Sequence, residues 1–246
     1  MKRLIYLMYF WLIAMPVFVV STLLTALIVV AGCLLGGEKF FAYYPGMIWS
    51  KLVCLITLCP VNVRGREHLR PGQSYVFVAN HQSAFDIFLI YGFLGYPIKW
   101  MMKAGIGKIP FVGMACRAAG FIFVDHSSAR NALRSLAAAK CSLRNGASLV
   151  VFPEGSRTPD GKMRKFHKGA FQLALDRRLS IVPITINGAF NILPVGRLQV
   201  RPHRMEMIIH PPIRMNEEEF AEKNFLQTLT VQTQHIIADA LWDEFK

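Results

Sequence analysis

Apolar and polar positions along the chain fall into three regimes. From Leu4 to Leu35 there is no charged residue, a run of 32. At about 1.5 Å per residue a helix that long reaches roughly 48 Å, well beyond a ~30 Å hydrocarbon core. It must tilt, break at Pro16 or lie partly in the interface. A cleaved signal peptide, with an apolar core of about 7–15 residues, fits so long a run poorly. After Gly36-Gly37-Glu38, a second apolar stretch from Phe40 to Val63 is interrupted by Pro45 and Lys51. Lysine at a bilayer centre costs about 2.5–3.5 kcal/mol, so the expectation is an interfacial or re-entrant helix from about Gly46 to Cys59. Phe40, Phe41, Tyr43, Tyr44 and Trp49 suit a headgroup-level belt or, equally, a helix packed on the rest of the chain.

Beyond Pro60 the pattern breaks into short runs. Tyr75–Ala79, Ile98–Met102, Gly120–Val124, Ser148–Phe152, Ile181–Ile186 and Met205–His210 read as strands. Helical patterns lie between and after them, at about Ala84–Leu94, Ala129–Arg144 and Lys168–Arg177, with a tail helix through Phe225, Leu229, Ile236, Ile237 and Leu241. Alternating strands and helices predict an α/β fold with a mixed, largely parallel sheet flanked by helices. Near-continuous apolar strands such as Leu149–Phe152 predict a sheet covered on both faces. The expected organisation is a membrane-embedded helical anchor over residues 1–60 and one domain over 61–246.

Charge sharpens this division. The 246 residues carry a net charge of +13, with 53% hydrophobic and only 17% charged residues. The first 60 residues contribute +3, residues 61–215 hold 22 basic against 7 acidic side chains, and residues 216–246 contribute −5. Disordered chains, disulfide-stapled secreted mini-proteins and ordinary cytosolic enzymes do not look like this. Lys2 and Arg3 precede the apolar region, and Arg64, Arg66 and Arg70 follow it, which places both ends on the cytoplasmic side, as in a hairpin that dips in and returns. Five cysteines with no C-x-x-C fit reduced, packing thiols.

Two constellations carry chemistry. In Asn80-His81-Gln82-Ser83-Ala84-Phe85-Asp86, the histidine and the carboxylate meet only if His81 precedes the helix and Asp86 lies in its first turn. The pair then makes a general base and its orienting carboxylate at the carboxyl edge of a strand, where open α/β sheets bind ligands. Ser83 and Asp86 also fit a helix cap, with His81 a polar loop residue, and spacing leaves both readings open. In Phe152-Pro153-Glu154-Gly155-Ser156-Arg157, glycine permits close backbone approach and Arg157 offers a bidentate anion fork. Lys165 to Lys168 add cations before the next helix.

Other signatures fail. Gly155 to Met163 lacks P-loop spacing and its final Ser/Thr, Gly105-Ile106-Gly107 lacks the third glycine of a dinucleotide fingerprint, and neither G-x-S-x-G nor H-E-x-x-H occurs. The histidines are too scattered for a local metal motif. Nucleic acid is disfavoured because the aromatics concentrate in the anchor rather than among the cations.

N-H-x-x-x-x-D, followed about seventy residues later by F-P-E-G-S-R, resembles the glycerophospholipid acyltransferase family, in particular its 1-acylglycerol-3-phosphate acyltransferases. Lys103 with Gly107–Gly113, Gly120–Asp125, Lys165–Phe171 and Val182-Pro183-Ile184 resemble further family blocks in the same order. The resemblance covers about Val61 to Ile213 and implies a glycerol-3-phosphate acyltransferase-like fold. It implies acyl transfer from acyl-CoA or acyl carrier protein to the free hydroxyl of a lysophospholipid beside a lipid bilayer, with His81 as base and Asp86 as its orienter. Glu154, Gly155 and Arg157 would hold the acceptor's phosphate, and Lys103 or backbone N–H groups near Gly155 the oxyanion. No metal and no cofactor beyond the acyl-thioester co-substrate is implied. Where the family usually has arginine after Val124-Asp125, this chain has His126, with Arg130 the nearest replacement; the departure leaves other lysolipid or hydroxylated acceptors open. The alternative from another class is a catalytically silent protein that binds anionic lipid.

Overall fold

A computed structural model of the chain describes residues 2–125, 147–214 and 224–246. His126, Arg130, the helix expected over Ala129–Arg144, Cys141 and the acidic run Glu217–Glu219 lie outside the described residues.

The N-terminal run is one helical rod. α1 (Lys2–Tyr9) passes through a π-helical turn (Phe10–Ala14) into α2 (Met15–Leu34). Pro16 does not break it. Proline lacks an N–H and its ring crowds the carbonyl four residues back; the wider turn just before it, closed by Met15 N–H to Phe10 O, is a common helical accommodation. Leu4–Leu34 is long and apolar enough to cross a membrane, about 46 Å at helical rise. Much of its surface is bare, with Leu12 69% and Leu34 80% exposed.

A short α3 (Glu38–Phe41) leads to α4 (Tyr44–Ile56), which takes Pro45 into its first turn, where no N–H is needed. At 13 residues α4 is about 20 Å long, too short to cross a bilayer by itself. Lys51, expected to interrupt the apolar stretch, sits within the helix with its ammonium 5.9 Å from the Phe93 ring.

The strands are β1 (Val61–Arg64), β2 (Tyr75–Ala79), β3 (Ile98–Lys103), β4 (Ile122–Val124), β5 (Ser148–Val151), β6 (Ser180–Asn187) and β7 (Met205–Ile209). Between them stand α5 (Phe85–Phe93), α6 (Val112–Ala118), α7 (Gly169–Asp176) and α8 (Ala189–Ile192), and α9 (Phe225–Asp239) follows. The sheet order is β1-β7-β6-β2-β5-β3-β4. All pairings are parallel except β6 with β7. This is the mixed, largely parallel α/β sheet expected. Pro183 is tolerated in the interior strand β6 because its missing donor falls where the β7 ladder ends: His210 N–H donates to Pro183 O at 3.0 Å and nothing is needed in return.

Strand alternation sorts the core into two faces. Val76, Val78, Leu149 and Val151 join Phe171, Leu173, Leu229 and Ile237, from α7 and α9, on one side. Tyr75, Phe77, Ala79, Trp100 and Val150 join Leu89 and Ile90 of α5 on the other, together with Phe10, Ala14, Tyr43 and Cys54 from the first 60 residues. Of the expected belt aromatics, Tyr43 and Trp49 therefore do packing work, while Phe40 and Tyr44 stay exposed. Tyr43 meets Tyr91 at 5.6 Å, Trp49 lies 5.2 Å from Phe88, and the Trp49 indole N–H donates to Thr22 Oγ1 at 3.1 Å. α4 closes on α5 through Gly46, where an added Cβ would come within 2.4 Å of the Tyr91 ring. β1, α6 and α8 had no counterpart in the hydropathy pattern; β1 was hidden in the apolar run ending at Val63.

Candidate active site

The parallel order β6-β2-β5-β3 brings the carboxyl ends of β2, β5 and β3 side by side. Leaving β2, Asn80 acts as an extra rung of the sheet: its amide donates to Ile186 O at 2.9 Å and accepts from Ile186 N–H at 2.7 Å. That locks the chain before it turns into α5, so His81 precedes the helix and Asp86 lies in its first turn.

Asp86 is fully buried, and a single oxygen, Oδ2, accepts three bonds. These come from His81 Nδ1 at 2.8 Å, Gln82 N–H at 2.7 Å and Ser83 N–H at 2.8 Å. An acceptor already taking two backbone N–H groups requires Nδ1 to carry the proton. That leaves Nε2 of His81 as the basic nitrogen. The Ser83 bond is the backbone half of a capping box, so the two readings of Ser83/Asp86 are both satisfied: one carboxylate caps the helix and orients the histidine.

Phe152, just past β5, lies face-on to the His81 ring, with centroids 3.9 Å apart and planes 9° from parallel. Trp100 backs Phe152 at 5.8 Å. Register and parity explain the meeting. Val78 pairs with Val151, so Phe152 continues the face of Val150 and His81 that of Phe77 and Ala79.

The loop after β5 is sewn to the histidine segment. Glu154 is 4% exposed; its Oε1 accepts from His81 N–H at 2.7 Å and its Oε2 from Arg164 N–H at 2.8 Å. Burial pushes its carboxyl up to about 7, against those two backbone bonds, which lower it. Thr158 N–H donates to His81 O at 3.0 Å, and Gln82 Nε2 to Gly161 O at 2.9 Å. Gly155 turns the chain at φ +74°, a left-handed conformation that glycine adopts at little cost. Its own N–H closes the turn on Phe152 O at 3.1 Å.

The sequence-expected residues thus separate. His81, Asp86 and Glu154 form one bonded cluster. Glu154, expected beside the acceptor's phosphate, faces inward with both oxygens occupied. Gly155 and Arg157 are exposed at the loop tip, and Lys103 is exposed at the end of β3, at the same sheet edge. Arg130 lies outside the described residues. Phe152 as the partner of the histidine ring and Arg164, whose guanidinium also donates to Ser156 Oγ at 3.1 Å, were missed as site residues. Strand parity was the available signal for Phe152; nothing in the sequence marks the Arg164 backbone bond.

An oriented histidine–carboxylate pair with no hydrogen bond to its second nitrogen among the described residues, at the carboxyl edge of a mixed α/β sheet, is equipped for general-base chemistry. The acyltransferase family model matches residues 60–187, which hold the whole cluster, and the chain belongs to that family. A 1-acyl-sn-glycerol-3-phosphate acyltransferase of Arabidopsis thaliana chloroplasts is 33% identical over 178 residues, 72% of this chain and 49% of the relative. One from Chlamydomonas reinhardtii is 31% identical over 211 residues, 84% of this chain and 61% of the relative. The chain therefore spans about half to three-fifths of the length of these curated relatives. Among solved structures, the 1-acyl-sn-glycerophosphate acyltransferase of Thermotoga maritima superposes with a TM-score of 0.74 at 27% identity, covering 98% of each chain.

Proposed function

We propose that this protein moves a fatty acyl group from a thioester, acyl-CoA or acyl carrier protein, to the free hydroxyl of 1-acylglycerol-3-phosphate, giving phosphatidic acid. The observation that carries the reading is the 2.8 Å bond from His81 Nδ1 to buried Asp86, which leaves Nε2 to act. Nε2 removes the acceptor's hydroxyl proton as that oxygen attacks the thioester carbonyl. The tetrahedral intermediate then expels the thiolate, which takes the proton back from the imidazolium. Asp86 holds the tautomer and stabilises the cation. The acceptor itself is the nucleophile, so no acyl-enzyme forms and no metal or prosthetic group enters. Gly155 N–H already closes its turn, so in this reading the oxyanion falls to Lys103 or to the backbone N–H groups that follow Gly155. Arg157, exposed at the loop tip, grips the acceptor's phosphate, with Glu154 holding the loop in place from beneath.

In the same reading, the bare apolar rod and α4 enter the bilayer from the cytoplasmic side, since so large an exposed apolar surface marks a membrane site. The apolar rod and α4 pack on the same face of the sheet as the His81–Asp86 pair, which supports a base working beside a lipid acceptor. An acceptor panel with one acyl-CoA tests the substrate. Lysophosphatidic acid is expected to support thiol release, with glycerol-3-phosphate and phosphate-free lysolipids far behind. Preference for a phosphate-free acceptor would overturn the assignment.

A further inference from the structure

We propose that Phe152 is a positioning residue that holds the His81 ring by its face and selectively stabilises the protonated imidazole. This rests on the reading of His81 as the general base. Two nearly parallel rings at 3.9 Å and 9° are in ordinary stacking contact while both are neutral, with no net charge for the ring quadrupole to attract. A cation over a ring face within about 6 Å is, by contrast, attracted by the same quadrupole. The stack therefore favours imidazolium over imidazole.

The constraints on the ring are complementary. The Asp86 bond to Nδ1 acts at the ring's edge, and Phe152 acts along its normal. Together they leave Nε2 the only ring atom aimed at chemistry. Phe152 is itself held from behind by Trp100 at 5.8 Å and a 28° tilt, and Trp100 by Tyr91 edge-on at 6.0 Å. In the proposed mechanism His81 gains its positive charge on taking the hydroxyl proton and gives it up on protonating the leaving thiolate. The stack thus strengthens as the transition state is approached and adds little to ground-state binding, the condition for raising kcat rather than lowering KM.

The test compares Phe152→Leu, which keeps an apolar side chain and removes the ring face, with Phe152→Tyr, which retains it. Phe152→Leu is expected to lower kcat roughly tenfold with both KM values within about twofold, and Phe152→Tyr to restore kcat. In protein carrying 13C-labelled histidine, the His81 Hε1 resonance, identified by its loss in His81→Gln, should lie upfield through the ring current. It should move downfield in Phe152→Leu and remain in place in Phe152→Tyr. Phe152→Met repeats the comparison should the Leu variant unfold. Full kcat in folded Phe152→Leu or Phe152→Met overturns the electrostatic role. A wild-type resonance without the ring-current shift overturns the stack. If the wild type releases no thiol with any acceptor, the acyltransferase reading fails, while the resonance still decides the stack.

Discussion

Asp86 and Glu154 lie beneath the loop surface, with Asp86 Oδ2 and both Glu154 oxygens committed to backbone N–H groups and to His81. Arg157, three residues past Glu154, stands in solvent. The site is thus built in opposite ways at its two ends, a buried one of His81, Asp86 and Glu154 and an exposed one at Arg157. In the proposed function its buried end fixes a proton-transfer geometry, which needs bonds that do not rearrange during the reaction. Its exposed end presents a planar cation with freedom to meet an anion arriving from outside. The difference teaches that one short motif divides its labour by burial. Residues alike in being charged differ in function because one is desolvated and the other is not.

The sharpest way to break this division is His81→Ala at the buried end. Thiol release in the presence of lysolipid should fall roughly 10²–10⁴-fold with thermal stability retained. Near-normal turnover would show that the buried cluster is only a helix cap.

Glu154→Gln probes the same end through stability. The Glu154 carboxyl titrates at about 7 in the fold against an ordinary 4.5. Folding therefore favours its protonated form: that contribution is fully present below about pH 4.5 and is lost as pH rises through about 7. Its span is on the order of 3 kcal/mol. Denaturant unfolding at pH 5 and pH 8 should show wild type losing that stability relative to the glutamine variant, which does not ionise. Parallel curves for the two proteins would mean that the carboxylate is not desolvated.

Arg157→Ala probes the exposed end. It should raise the acceptor KM roughly ten- to hundredfold, the worth of a charge-assisted hydrogen bond, and leave kcat nearly untouched. A loss confined to the acyl donor would move the anion site elsewhere, and a kcat loss matching that of His81→Ala would erase the contrast between the ends.

The central strands were legible because their apolar runs are short and bounded. Tyr75–Ala79 matches β2 residue for residue, and Ser180–Asn187 extends the expected Ile181–Ile186 by one at each end. β1 was not legible: Val61–Arg64 is half-exposed at the sheet edge, and its apolar residues continue the helical stretch before it without a break in hydropathy. The tail helix was legible from spacing, and its docking is visible in Thr185 Oγ1 donating to Ile237 O at 3.1 Å. In the site, the spacing of His81 and Asp86 allowed their contact, and the structure makes it. Glu154 was found by motif and given a binding part, because a charge in a phosphate-like loop reads the same whether it faces in or out.

What the sequence by itself determined is the alternation of strand and helix, the apolar rod at its start, and the residue types at the ends of β2 and β5. These follow from local periodicity and chain connectivity, which are one-dimensional properties. Only the tertiary structure decided that Phe152 lies flat on His81, that Glu154 accepts from two backbone N–H groups, and that the apolar rod and the His81–Asp86 pair share one face of the sheet. Each of those depends on which strands are neighbours and in what register. Strand order and register are set by packing across the whole sheet, and no local stretch of sequence contains them.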